Sequence, residues 1–400
     1  MRLVVALRGM KPFYFTKRKL QHLRAAIILF AAAISSSLSA QTITTFDAPG
    51  AGTGFLQGTY GVNVSPSGTI IGFSRDANNA RHGFIRSTDG SFTIFDAPNA
   101  GTGNFQGTRA YGINPTGTIT GFFIDSVNSA HGYVRSAQGV ITVFDAPGAG
   151  TGPFPEGTFV TSPLDINADG AIAGYYNDSD RVGHAFLRDK NGAFTTFDAP
   201  GAGTQAGQGT FSFAISPVGE VTGFLFDAVT ASRGFLRDKN GVITTYDVPG
   251  SGTGPGQGTL GGGFTPNGNI MGQYIDASDV SHGFVMDRRT GTFTTYDAPG
   301  AGTGPGQGTY PFGVNAAGAI SGWYLDASDV SHGFVRDSHG AIVEFDVPGA
   351  GTGPFQGPNV YSISPNGAVA GFYFDSDYVV HGFVREGNGG ALNSLKFRRH

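Results

Sequence analysis

A tetrapeptide recurs along this chain at a nearly fixed interval. Phe-Asp-Ala-Pro, or a near variant, starts at Phe46, Phe95, Phe144, Phe197, Tyr246, Tyr296 and Phe345, and the starts are 49, 49, 53, 49, 50 and 49 residues apart. A period of about 50 residues restricts a chain to architectures made of many copies of one supersecondary unit.

The second copy shows what that unit is. Ala110 to Ile113 reads as a short strand, and Asn114-Pro115-Thr116-Gly117 as a tight turn, with Pro presetting φ and Gly supplying a positive φ. Thr118 to Asp125 is a second strand, rich in Thr, Ile and Phe. A five-residue loop, Ser126 to Ala130, leads to a third strand, His131 to Arg135. Ser136 to Gly139 turns again, Val140 to Asp145 is a fourth strand, and the glycine-rich segment Pro147 to Thr158 crosses to the next copy. No window carries apolar residues at helical spacing, and Gly or Pro interrupts roughly every ten residues.

Four antiparallel strands per repeat of this length predict an all-β chain, a seven-bladed β-propeller of four-stranded antiparallel blades. The third strands begin at His82, His131, His184, Arg233, His282, His332 and His381. The chain opens on a fourth strand, Thr42 to Asp47, before any first strand. At the other end, the expected fourth strand is degraded to Ala391–Phe397, which would add an extra strand or a loose tail. The expectation is a ring closed by the N-terminal strand, which removes open sheet edges. An open solenoid is the alternative; it calls for capping repeats, and the sequence has none.

Residues 1–40 differ from the rest. Lys17, Arg18, Lys19 and Arg24 precede the apolar run Ala25 to Ile34, followed by small residues to Ala40. This is the pattern of a secretory signal peptide cleaved after Ala40, with the repeat domain at 41–395 and a basic tail at 396–400. The run is short of the roughly 20 residues that a membrane span needs. An uncleaved amphipathic anchor is the competing reading. The leader holds seven of the 25 Lys and Arg and no acid, which leaves 18 bases against 29 acids, a formal charge of −11. That balance argues against a nucleic-acid partner or an anionic membrane. The chain has no Cys, so disulfides are excluded.

Each third strand follows an acid by six residues, in the pairs Asp76–His82, Asp125–His131, Asp178–His184, Asp227–Arg233, Asp276–His282, Asp326–His332 and Asp375–His381. A ring of metal sites or acid–base dyads is one reading; a clasp across the hairpin loop, with a ring or guanidinium N–H donating to carboxylate, is the other. Arg233 favours the clasp, because Arg is neither a usual metal ligand nor a general base. The Asp of the tetrapeptide stands where an Asx-type turn is expected. A calcium reading of Asp276/Asp279, Asp326/Asp329 and Asp375/Asp377 lacks the spacing and closing Glu of an EF-hand. No Ser-His-Asp order and no zinc spacing is visible, so no catalytic residue, metal or cofactor is assigned.

Departures from the repeat are the better candidates for binding. Glu156 replaces the crossover Gln of six other copies and lies near Asp180 and Arg181 in the expanded third copy. Trp323 is the only tryptophan; beside a loop it would suit sugar stacking, whereas buried it would fill a blade interface. Tyr378 stands beside Asp377 in the seventh copy. Copies five and six share GPGQGT and DASDVSHGF almost letter for letter, and with Trp323 and Asp326 in copy six and Tyr378 beside Asp377 in copy seven they make repeats five to seven the expected binding region, on the face that carries the five-residue and crossover loops.

The pattern Gly112-Ile113-Asn114, Gly117, Ile119, Gly121, with the strand His184-Ala185-Phe186, resembles the HAF-type extracellular repeat of bacterial secreted proteins. The resemblance covers nearly the whole chain after the leader. It implies an extracytoplasmic protein, secreted or periplasmic, and brings no catalytic residues with it. Two features depart from that pattern: Arg follows the apolar residue of the third strand where the family often has Trp, and TTFDAPGAGTG replaces an Asp-Leu-Gly-rich connection. The expected function is a monomeric binding or scaffold module for a glycan, peptide or surface polymer. The alternative is a propeller lyase or hydrolase acting on polysaccharide.

Overall fold

The computed structural model describes residues 42–159 and 165–387. The predicted leader, the basic tail and the Ala391–Phe397 strand lie outside them. Among the described residues there are 28 strands and no helix, four strands to each copy of the repeat. Among those residues no helix is long and apolar enough to cross a membrane.

In the first copy the strands are β2 (Gly58–Val64), β3 (Ile70–Arg75), β4 (Arg81–Arg86) and β5 (Phe92–Phe95), after an opening β1 (Ile43–Phe46). They form an antiparallel meander, with Thr59 opposite Ser74, Ile71 opposite Ile85 and Phe84 opposite Ile94. β3 is buried along its whole length, whereas β5 is largely exposed. That gradient explains the sequence: second strands are continuous apolar runs because neighbouring units cover both of their faces. Each complete first strand carries a β-bulge near its middle, as between Gly61 and Asn63 or Ala110 and Gly112.

The recurrent residues have identifiable structural reasons. The aromatic that begins the tetrapeptide lies flat on the glycine of the facing third strand. A Cβ on Gly132 would stand 2.4 Å from the Phe144 ring, so the His-Gly-aromatic pattern is a seat for that ring. The aromatic that follows the seat is fully buried, as at Phe84, Tyr133, Phe186, Phe235, Phe284, Phe334 and Phe383. Each such burial is worth on the order of 2–3 kcal/mol. Gly107 crosses the preceding unit at φ 99°, and a Cβ there would meet the Arg81 carbonyl oxygen at 2.1 Å. The following Thr accepts a hydrogen bond from the backbone N–H after the tetrapeptide Asp, as Thr59 does from Ala48 and Thr108 from Ala97.

The arginine that departs from the HAF-type pattern joins neighbouring units. Arg135 lies over the Phe95 ring of the previous copy at 5.0 Å, and Arg188, Arg237, Arg336 and Arg385 repeat the arrangement. In the fifth copy Met286 takes this place and packs in the same cluster as Tyr246.

The first and last of the described strands meet through the same contacts. β1 pairs antiparallel with β28 (Val380–Arg385), Ile43 opposite Arg385 and Phe46 opposite Gly382. Gly58 bridges Val380 as Gly107 bridges Arg81. Arg86 stacks on Phe46 at 4.8 Å, and Ser362 donates to Asn63 Oδ1 at 2.7 Å.

Candidate binding face

The five-residue loops and the crossover loops share one face, and both are held by side chains. The acid six residues before the third strand accepts two backbone N–H bonds of its own loop. Asp125 Oδ1 takes those of Val127 and Ser129 at 3.0 and 2.7 Å; Asp76, Asp178, Asp227, Asp276, Asp326 and Asp375 do the same. Its second oxygen faces the histidine more distantly, 3.3 to 3.7 Å from Nε2.

The closer partner is the tetrapeptide Asp. His131 Nδ1 lies 3.0 Å from Asp145 Oδ1, and the same contact joins His82 to Asp96, His184 to Asp198, His282 to Asp297, His332 to Asp346 and His381 to Asp47. Arg233 donates from both Nε and Nη2 to Asp247, with no ion pair to Asp227 within range. The expected clasp partner is therefore the second one, and the Asp expected in an Asx-type turn is the first. The sequence held the signal, a spacing of 14 residues, 15 in the fifth copy, but the nearer acid drew the assignment. Antiparallel register decides it: Gly132 faces Phe144, so His131 and Asp145 emerge side by side.

Hydrogen bonding to Asp96 and Asp145 pushes His82 and His131 above the usual histidine range, against the opposing effect of burial. For Asp178, Asp276 and Asp326, burial favours the neutral acid, yet the loop N–H groups and the histidine together hold each carboxyl below its ordinary value. At His131, His184 and His381 both ring nitrogens lie within hydrogen-bond distance of a carboxylate, which leaves neither free for proton transfer to a ligand; at His82, His282 and His332 the Nε2 contact is longer, 3.5 to 3.7 Å. Among the described residues no group of three or more His, Asp or Glu stands in position to hold a metal ion.

In the crossover loops the Gln side chain braces the turn. Gln57 Oε1 accepts from Gly54 N–H at 2.9 Å while Nε2 donates to the Ala77 carbonyl at 3.1 Å. Glu156 does the first of these jobs, accepting from Gly152 N–H at 2.8 Å. Its other oxygen faces Arg181 at 4.0 Å, where other copies pair Gln with Asn or Asp. Glu156 and Arg181 are thus one matched exchange within a brace. Asp279 and Asp329 accept from Gln257 and Gln307.

Trp323 is mid-strand, stacked on Tyr310 at 4.2 Å and half-buried, so it fills the packing between first and second strands rather than standing beside a loop. Tyr378 is at the loop face: its hydroxyl donates to the Pro354 carbonyl and its ring packs on Phe55 at 5.5 Å. Asp377 is exposed next to it, and Asp326 is engaged with its own loop.

Two asymmetric features of this face were missed from the sequence. The first is an arc of exposed crossover aromatics: Phe55 is 68%, Phe105 51%, Phe154 55% and Phe355 61% exposed. They lead into repeats one, two, three and seven, not five and six. Leu56, Phe105 and Phe355 occupy a left-handed position (φ 56°, 64° and 59°) where repeats four, five and six have Gly207, Gly256 and Gly306. A bulky side chain there costs about 1–2 kcal/mol. The second is a cavity of about 230 Å³ lined by Tyr60, Phe73, Arg75, Arg81, Arg109 and Tyr111. A column-by-column comparison would have found both, since the arginines replace small or apolar residues of other copies, such as Ile124, Ala130 and Phe211.

No protein-family model matches the chain, and no curated protein matches it. Among solved structures it is similar to a puromycin hydrolase, at 13% identity and TM-score 0.47 over 80% of this chain and 52% of that one. The chain thus spans about half the length of that relative. It is also similar to Aleuria aurantia lectin, described as a six-bladed β-propeller with a fucose recognition mode, at 10% identity and TM-score 0.40 over 86% and 100%. A third is BP39L lectin from Burkholderia pseudomallei, at 12% identity and TM-score 0.40 over 84% and 94%. At these scores the likenesses carry nothing about ligand or reaction.

Proposed function

We propose that the chain is an exported, closed seven-bladed β-propeller that acts as a binding module for a polymer, with its site on the face of the crossover loops. The closure is supported by the seam, where the Gly58–Val380 bridge and Arg86 on Phe46 repeat contacts found between other neighbouring units, such as Gly107–Arg81 and Arg135 on Phe95, and β1 completes the last unit by pairing with β28. The observation that carries the binding reading is the arc of exposed crossover aromatics, two of which, Phe105 and Phe355, stand in left-handed backbone positions. Phe355 gains little burial for its left-handed φ, and strain kept without a packing return points to function. Flat apolar rings spread over adjacent loops suit an extended ligand, a glycan or surface polymer, better than a compact metabolite. The polysaccharide lyase or hydrolase reading has less support, because every repeated histidine has Nδ1 held by a tetrapeptide Asp and three of them have Nε2 held by a second carboxylate.

The test is a thermal-shift screen against soluble polysaccharides, since a ligand of the native state raises its melting temperature. Phe55→Ala and Phe355→Ala should abolish the shift, and Asn267→Ala, in a short turn after the bulged strand Gly258–Phe264, should not. Loss of the shift in Asn267→Ala alone would assign the site to the other face.

A further inference from the structure

We infer that the cavity between the first two repeats is a socket for an oxyanion on a sugar, so that the polymer bound is an acidic polysaccharide. This names the ligand class of the face proposed above and rests on that reading.

Three guanidinium groups line one cavity with no carboxylate among them. The ion pairs of arginine among the described residues are Arg181 with Glu156, Arg233 with Asp247 and Arg288 with Glu220; none involves Arg75, Arg81 or Arg109. Arg86, Arg135, Arg188, Arg237, Arg336 and Arg385 each lie singly over one aromatic ring of a neighbouring unit, whereas Arg75 and Arg81 share the Phe105 ring and Arg109 lies over Phe122. Here three converge in a chain that is otherwise acidic. Arg75 is only 6% exposed, and its Nε is buried without a partner, as is that of Arg109. Arg75 Nη1 donates to the Leu56 carbonyl at 2.6 Å and Nη2 to Asn79 Oδ1 at 3.3 Å; Arg81 donates to the Phe105 carbonyl. These bonds fix the planes of the groups without neutralising them.

Like charges held together out of water are costly unless a counter-charge joins them. Burial, with the neighbouring Arg109 and Arg75 charges, pushes Arg81 down to about 9, and burial lowers Arg109. Arginine stays protonated in proteins, so the repulsion persists as an attraction for an anion. A guanidinium fork matches a carboxylate or sulfate oxygen pair.

The walls suit the sugar that would carry that group. Phe73 stacks under Tyr60 at 4.7 Å, and the half-exposed Phe105 ring roofs Arg75 and Arg81 at 4.7 and 5.2 Å. Phe105 also belongs to the aromatic arc, so a chain lying along the arc would pass over the socket. The cavity is below the roughly 300 Å³ of drug-sized sites, which limits it to one ring and its charged group.

The experiment titrates the full chain, at matched ionic strength, with oligogalacturonate, a sulfated galactan oligosaccharide and a neutral galactan oligosaccharide. The variants are Arg81→Gln, Arg109→Tyr (the residue that Tyr60 and Tyr310 supply in other copies) and Arg233→Gln, a control that removes one positive charge outside the cavity. Saturable binding of oligogalacturonate, weakened about tenfold or more by either pocket variant and unchanged by the control, supports the socket, as does the same pattern with the sulfated ligand. The arm that responds identifies the oxyanion. Acidic ligands that bind equally to wild type and pocket variants, or not at all, overturn it. Binding of the neutral ligand that survives both pocket variants overturns the socket while leaving the binding face standing.

Discussion

Each repeated histidine sits between two acids, and the closer partner is the tetrapeptide Asp, 14 or 15 residues away in every copy but the last, where His381 meets Asp47. For His82 and His131 the folded pKa lies above the ordinary value of about 6.5, so the stability they contribute is fully present below that pH. It is lost as pH rises through the raised folded value. The melting-temperature gap between wild type and the His82→Gln/His131→Gln double variant should therefore be wider near pH ~5.5 than near pH ~9; an equal gap contradicts the assignment. The carboxylates of these pairs are about half exposed, so a single His131→Ala should cost only about 1 kcal/mol or less. His131→Arg should be tolerated, because Arg233 already plays the part in the fourth copy. The sequence announced the clasp with the nearer acid, which stands at Nε2 of each histidine, but missed the closer partner at Nδ1, since nothing in a six-residue spacing says that the nearer carboxylate is already engaged by its own loop.

The crossover loop separates what was legible from what was not. Strand order, turns and the displaced first strand follow from period, Pro-Gly chemistry and β-branched runs, and the strands fall within a few residues of expectation. The second copy shows the residual error: its first strand starts at Gly107 rather than Ala110, because a crossing glycine reads as loop. The binding region was placed on repeats five to seven because Trp323 and near-identical loops drew attention there. Trp323 instead packs against Tyr310, and the glycines of those loops leave the face bare. Reading a single residue type cannot reveal strain; comparing Phe105 and Phe355 with Gly256 and Gly306 in the same column can. Phe355→Gly should accordingly leave the melting temperature unchanged or raise it, by relieving about 1–2 kcal/mol of left-handed strain against a smaller entropic cost of glycine, while polymer binding falls. A clear drop in melting temperature would show that the ring is there for packing.

The contacts at the seam make a quantitative demand on the whole molecule. In a closed ring Arg86 on Phe46 is one neighbour contact among equals, so Arg86→Ala and Arg135→Ala should lose similar stability, about 0.5–2 kcal/mol each. In an open array the terminal contact would cost almost nothing to lose, and thermal denaturation of the two variants distinguishes the cases. Deleting Thr42 to Asp47 should lower the melting temperature far more than deleting Lys396 to His400, because it bares the edge of β28. The same pairing has a kinetic side. His381 meets Asp47 across 334 residues of chain, whereas every other clasp joins residues 14 or 15 apart. Contacts so distant in sequence form late, so six units can assemble from local hairpins while the last waits for both termini. A nascent or truncated chain lacking either end would hold its edges open, ready to pair with another copy, and the N-terminal strand serves as the latch that ends that interval.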